Sequence, residues 1–115
     1  MRKLCLCWQR LLLPPVSERK APDACATMAE LRPQIDALDA ALVALLAERK
    51  GYIDRAISLK KNENLPARIT SRVDEVIGNV RHQAVAHGLD PDLTDALWTQ
   101  LIEWSIAREA KQIPE

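Results

Sequence analysis

The chain has 115 residues, 48% of them hydrophobic, 28% charged and 3% aromatic, with no Phe, one Tyr and three Gly. That length allows one domain at most, and an Ala- and Leu-rich, Gly-poor composition argues against a sheet and for helices packed on helices. Sixteen basic residues balance sixteen acidic ones, and no continuous basic face is left to bind nucleic acid.

Residues 1–20 differ from the rest of the chain. They carry Arg2, Lys3, Arg10, Arg19 and Lys20 against Glu18, a net of +4, so the remaining body carries −4. Leu4-Cys5-Leu6-Cys7-Trp8 imitates a secretory leader, but Gln9-Arg10 interrupts it, and the run is too short to span a bilayer. No membrane partner is expected. Cys5, Cys7 and Cys25 are odd in number and precede the helical body, which argues against a disulfide framework and for a cytoplasmic setting. Residues 1–21 are therefore expected to be a disordered, dispensable extension, with Met28 or a site before Pro22 as an alternative start. Residues 22–115 are expected to form the helical domain.

From Thr27 the pattern becomes helical. Leu31, Ile35, Leu38, Leu42, Leu45, Arg49, Tyr52, Ala56 and Leu59 follow at alternating spacings of four and three, a heptad seam. Thr27 can cap this helix, with Glu30 as the reciprocal partner of a capping box. Pro33 is tolerable only within the first turn or so. The helix should end near Lys61, before the loop chemistry of Asn62-Glu63-Asn64-Leu65-Pro66. A second helix places Val73, Val76, Ile77, Val80 and Ala84 on one side and stops at His87-Gly88. A third starts at Asp90, with Pro91 in its first position. Its apolar side carries Leu93, Leu97, Trp98, Leu101, Ile102 and Ser105, and it runs out at Ile113-Pro114.

The expected fold is all-α, three helices with one long first helix. A helix of some 35 residues spans on the order of 50 Å, far beyond the ~13 Å radius of gyration of a domain this size. Its seam cannot be buried inside one protomer, and a two-fold homodimer is the simplest geometry that covers it.

Several polar residues stand where apolar ones belong. Arg49 occupies a seam position between Leu45 and Tyr52, and a buried guanidinium needs an anion; Glu48 or solvent could also satisfy it. Lys60 lies eleven residues on, nearly on the same face and ~16 Å along the axis, so the two could hold opposite ends of a small ligand. Taken alone, Lys60 could equally be a solvated helix end beside Lys61. Arg32 is roughly 25 Å from Arg49 along the helix, too far to share a ligand within one chain. In an antiparallel dimer with its two-fold near residue 44, however, Arg32 falls opposite position 56 of the other chain, between Arg49 and Lys60. Arg72 opens the second helix beside Arg68, where ordinary surface charge is the simpler account. On the third helix Trp98, Ile102, Ser105 and Glu109 share one stripe, its last two members polar; a Glu near a helix end is commonly solvated.

The segment Leu42-Val43-Ala44-Leu45-Leu46-Ala47-Glu48-Arg49-Lys50, with Arg32 upstream and Lys60 downstream, resembles the long first helix of the all-helical chorismate mutases. The similarity continues through Pro66 and Arg72 to Leu101-Ile102-Glu103-Trp104-Ser105, covering about residues 22–112. The resemblance implies an intertwined homodimer with two shared active sites, a compact dicarboxylate substrate, and no metal or cofactor. It implies that Arg49 and Arg72 of one chain and Arg32 of the other bind the substrate carboxylates. Lys60 would hydrogen-bond the ether oxygen and one carboxylate, Ser105 would lie near the ligand, and Glu109 would contact the same ether oxygen. The implied reaction is the rearrangement of chorismate to prephenate in aromatic amino-acid biosynthesis. Val73 departs from the pattern, because typical mutases carry there a Glu that binds the ring hydroxyl. Val73, Trp104 and Pro22-Asp23-Ala24-Cys25 resemble instead the isochorismate pyruvate-lyase branch, which makes salicylate and pyruvate on the same scaffold, whereas Ser105 resembles the mutases. A non-catalytic helical dimer is a third reading, disfavoured by the presence of all four basic residues.

Overall fold

The computed structural model describes residues 19–114. The expected disorder of the N-terminal extension, and with it Cys5 and Cys7, falls outside the described residues except for positions 19–21. Three helices come after a short 3-10 turn at Pro22–Ala24: α1 over Met28–Glu63, α2 over Thr70–Ala86 and α3 over Pro91–Ala110. No strand occurs among the described residues, so the all-α expectation holds. None of these helices is long and apolar enough to cross a membrane.

Local chemistry accounts for each boundary. Thr27 Oγ1 accepts the Glu30 N–H at 3.2 Å, while Glu30 Oε2 reaches back to the Ala26 N–H at 2.7 Å, a capping box shifted by one donor. Pro33 lies inside α1, deeper than its missing N–H makes comfortable, yet the helix runs through it. Gln34 Nε2 donates to the Glu30 carbonyl at 3.1 Å beside that break. At the far end Asn64 takes a left-handed φ of 57°. Leu65 N–H then reaches Lys60 O at 2.8 Å and Asn64 N–H reaches Lys61 O at 3.3 Å, a Schellman closure. This continues the helix two residues past Lys61. Gly88, at φ 69°, ends α2 in the same way, with Leu89 N–H on Ala84 O at 2.8 Å. Asp90 caps α3 by accepting the Asp92 N–H at 2.8 Å, with Pro91 next in line.

Two compact units divide at position 49. In the first, residues 1–49, the side of α1 that closes is Leu31, Gln34, Ala37 and Ala41. Ile35, Leu38, Leu42 and Leu45 of the heptad seam are 41–60% exposed, as the length of the helix requires. Lys20, assigned to the extension by sequence, touches α1: its N–H donates to Gln34 Oε1 at 3.0 Å and its ammonium lies 3.5 Å from Glu30.

In the second unit, residues 50–115, α2 packs on α3. Val73, Val76, Ile77, Val80 and Ala84 are half-buried or buried, as their spacing predicts. On α3 the buried line is Thr94, Ile102, Ser105 and Glu109, with Trp98 half-buried between them. Leu93 and Leu97, expected on that side, are 46% and 47% exposed; the polar stripe, not the leucine stripe, faces inward. Ile57, Ala67 and Ile113 form a small core against which Ile106 packs.

Candidate functional site

Lys60 and Glu109 meet in the second unit. The last turn of α1 presents Lys60, and the inward stripe of α3 presents Glu109 one turn below Ser105. Lys60 Nζ lies 2.6 Å from Glu109 Oε1 and donates to Ala67 O at 2.7 Å. Glu109 is 4% exposed. No aligned hydrogen bond from the described residues reaches its enclosed Oε1. At that separation the contact is an ion pair, because charge attraction, unlike a hydrogen bond, needs no alignment.

The lysine stabilises this enclosed carboxylate, since an unpaired buried charge costs several kcal/mol. Ala67 O takes one of the three ammonium N–H groups in an aligned hydrogen bond, and two remain for a ligand. A cavity of about 500 Å³ is lined by Lys60, Lys61, Asn64, Leu65, Pro66, Ile113 and Pro114.

Ser105 is buried beside this pair and its hydroxyl donates to Leu101 O at 2.9 Å, the local back-bond open to a mid-helix serine. Val73 is half-buried on the inner side of α2. Arg72, at the third position of α2, is largely exposed and forms an ion pair with Glu75 one turn on. It is not drawn to Lys60 or Glu109. Arg32 and Arg49 belong to the first unit, where Arg32 is exposed and Arg49 is half-buried. The structure therefore brings together Lys60 and Glu109, places Ser105 one turn away on the same inward stripe, and leaves Arg72 on the surface.

Four residues beside the pair escaped the sequence reading as partners. Arg108 Nε donates to Asp54 Oδ1 at 2.6 Å, and its guanidinium lies 5.7 Å from the Trp104 ring centre. The hydrogen bond from Arg108 holds the Asp54 carboxyl below its ordinary pKa, against a smaller opposing effect of burial. Arg68 grips Glu103 with both ends of its fork, Nη1 to Oε2 at 3.0 Å and Nη2 to Oε1 at 2.5 Å, and this hydrogen bonding lowers the Glu103 pKa and raises that of Arg68. Periodicity gives no signal for such pairs, which join α3 to α1 in one case and to the loop after α1 in the other, at separations of 54 and 35 residues.

Residues 31–110 match the model of the family described as chorismate mutase type II. The chain is 32% identical over 93 residues to an isochorismate pyruvate lyase of Pseudomonas aeruginosa, covering 80% of this chain and 90% of that protein. It is 31% identical over 84 residues to the T-protein of Enterobacter agglomerans, covering 73% of this chain but 22% of that protein. With the family match extending over most of its length and all three helices, this chain belongs to the chorismate mutase type II family.

Proposed function

We propose that the protein is a chorismate mutase, converting chorismate to prephenate without metal or cofactor. The reaction breaks the ether C–O bond and forms a C–C bond within one molecule, so no nucleophile or proton acceptor is needed. What the protein supplies is a fixed reactive conformation and donors aimed at the oxygen where negative charge grows. The buried Lys60–Glu109 ion pair, with ammonium N–H groups still available beyond the one on Ala67 O, is the observation that carries the reading.

In this reading Lys60 donates to the ether oxygen and to one carboxylate. Glu109 contacts the same ether oxygen, where its protonated form is the useful one, because a carboxylate can only accept. By analogy with the family, Arg49 and Arg72 of one chain and Arg32 of the other take the two carboxylates as bidentate forks. Arg72 would exchange its exposed Glu75 partner for substrate, and Ser105 would border the ligand. Two chains would form a homodimer through the exposed seam of α1. The seam's exposure and the 36-residue length of that helix support the dimer. A cytoplasmic setting belongs to the same reading, supported by the unpaired thiol of Cys25.

A second reading, isochorismate pyruvate-lyase, is favoured by Val73 in place of a hydroxyl-binding Glu and by the relative from Pseudomonas aeruginosa. There the same ether bond breaks, a ring hydrogen passes to the enolpyruvyl carbon, and salicylate and pyruvate leave. Incubating the purified protein separately with chorismate and isochorismate and identifying the products decides between them. Prephenate from the first supports the mutase; salicylate from the second with no prephenate replaces it with the lyase; no product from either removes both.

A further inference from the structure

Two oxygens hold Lys60, one in an ion pair and one in a hydrogen bond, and both depend on α3. Glu109 is a residue of α3 itself. The other, Ala67 O, belongs to the loop after α1, and its carbonyl shares one rigid peptide plane with the Arg68 nitrogen. One edge of that plane is set by the Ala67 methyl, packed with Ile57 and Ile113 and 4% exposed. The other edge carries Arg68, whose guanidinium is bound at both ends by Glu103 of α3. Glu103 lies six residues before Glu109, about 9 Å along the same helix.

From this chain of contacts we infer that Arg68 and Glu103 are positioning residues for Lys60, fixing the Ala67 carbonyl so that the ammonium stays directed at the reacting oxygen. The inference rests on the catalytic role proposed for Lys60. Both side chains are about half exposed, 48% and 52%, and exposed ion pairs contribute little to stability. A bidentate fork nevertheless restricts direction more than a single contact does. Its function is therefore geometric: it ties the loop after the lysine to the helix that carries the lysine's counter-ion.

The test uses the full chain and two readouts. Acetic anhydride acylates only an unprotonated amine, and an ammonium held by a carboxylate and a carbonyl reacts slowly. Acylation of Lys60, measured by mass spectrometry against Lys61 as the internal reference, should rise severalfold in Arg68→Ala and in Glu103→Ala. The double variant should rise no further, because the two side chains act as one unit, and Arg68→Lys should fall between. In parallel kcat should drop by about threefold to tenfold, since a displaced catalytic donor costs rate steeply, while KM and Tm change little. Unchanged Lys60 acylation in folded Arg68→Ala and Glu103→Ala proteins would overturn the inference, and so would equal increases at Lys60 and Lys61. If the unaltered protein turns over neither substrate, the assigned function falls, while the acylation result still decides whether Arg68 and Glu103 position Lys60.

Discussion

Asp54 and Arg108 close a fork between α1 and α3, with Nε on Oδ1 at 2.6 Å and Nη2 on Oδ2 at 3.3 Å. Arg108 is the neighbour of Glu109, and Asp54 lies six residues before Lys60. The two helices are thus joined at two successive points, one half-exposed and one buried.

The pH dependence of stability derives in part from that outer pair. The folded-state pKa of Asp54 is lowered chiefly by the Arg108 hydrogen bond, that of Glu103 by Arg68, and that of Glu30 by the Ala26 N–H. A lowered folded pKa contributes stability that is present above the unfolded value, about 4 for carboxylates, and is lost as pH falls through the folded one. Urea midpoints should therefore decline as pH drops below about 5. Asp54→Asn should start lower at pH 7 and show a shallower decline, the difference closing at acid pH.

Breaking the inner pair should be costly. Lys60→Ala leaves the 4%-exposed Glu109 without its counter-ion, and should destabilise the fold by about 3 kcal/mol at neutral pH. Lys60→Ala combined with Glu109→Gln should recover part of that loss. Equal urea midpoints for the single and double variants would show that Glu109 is satisfied by some other group.

Activity should respond to the charge on Glu109. An ionised carboxylate facing the ether oxygen can only accept a hydrogen bond and repels the negative charge that grows there. Glu109→Gln keeps a donor at every pH, so its profile should be flatter and its turnover near pH 8 at least equal. Identical profiles for the two proteins would remove Glu109 from the reacting oxygen.

Complementation should report shared sites. Arg32→Ala and Arg49→Ala proteins, each inactive alone, should regain activity when mixed under exchange conditions, because one of the two sites in a heterodimer is intact. A fully active monomer at nanomolar concentration would remove both the dimer and the shared site.

Position 73 should govern the ring hydroxyl. Val73→Glu should raise kcat/KM for chorismate relative to isochorismate, by about tenfold if the new carboxylate accepts a hydrogen bond from that hydroxyl. A ratio that does not move would make Val73 a packing residue of α2 and no more.

The helix boundaries were legible to within two residues because they depend on neighbours in the chain: Thr27 and Glu30 at one end of α1, the loop chemistry of 62–66 near the other, Gly88 after α2, Asp90 and Pro91 before α3. The inward side of α2 was legible for the same reason, as its spacing needs only helical geometry. So were the polar stripe of α3 and the all-α fold that carries the family. Tertiary structure decided which of α3's two competing stripes faces inward, and it turned Leu93 and Leu97 out. It also chose partners for the charges, giving Lys60 to Glu109 and Ala67, Asp54 to Arg108 and Arg68 to Glu103, while Arg72 stayed with Glu75. Periodicity specifies the face of a helix a side chain occupies, but an ion pair between helices depends on their axial offset, which arises only when the helices pack.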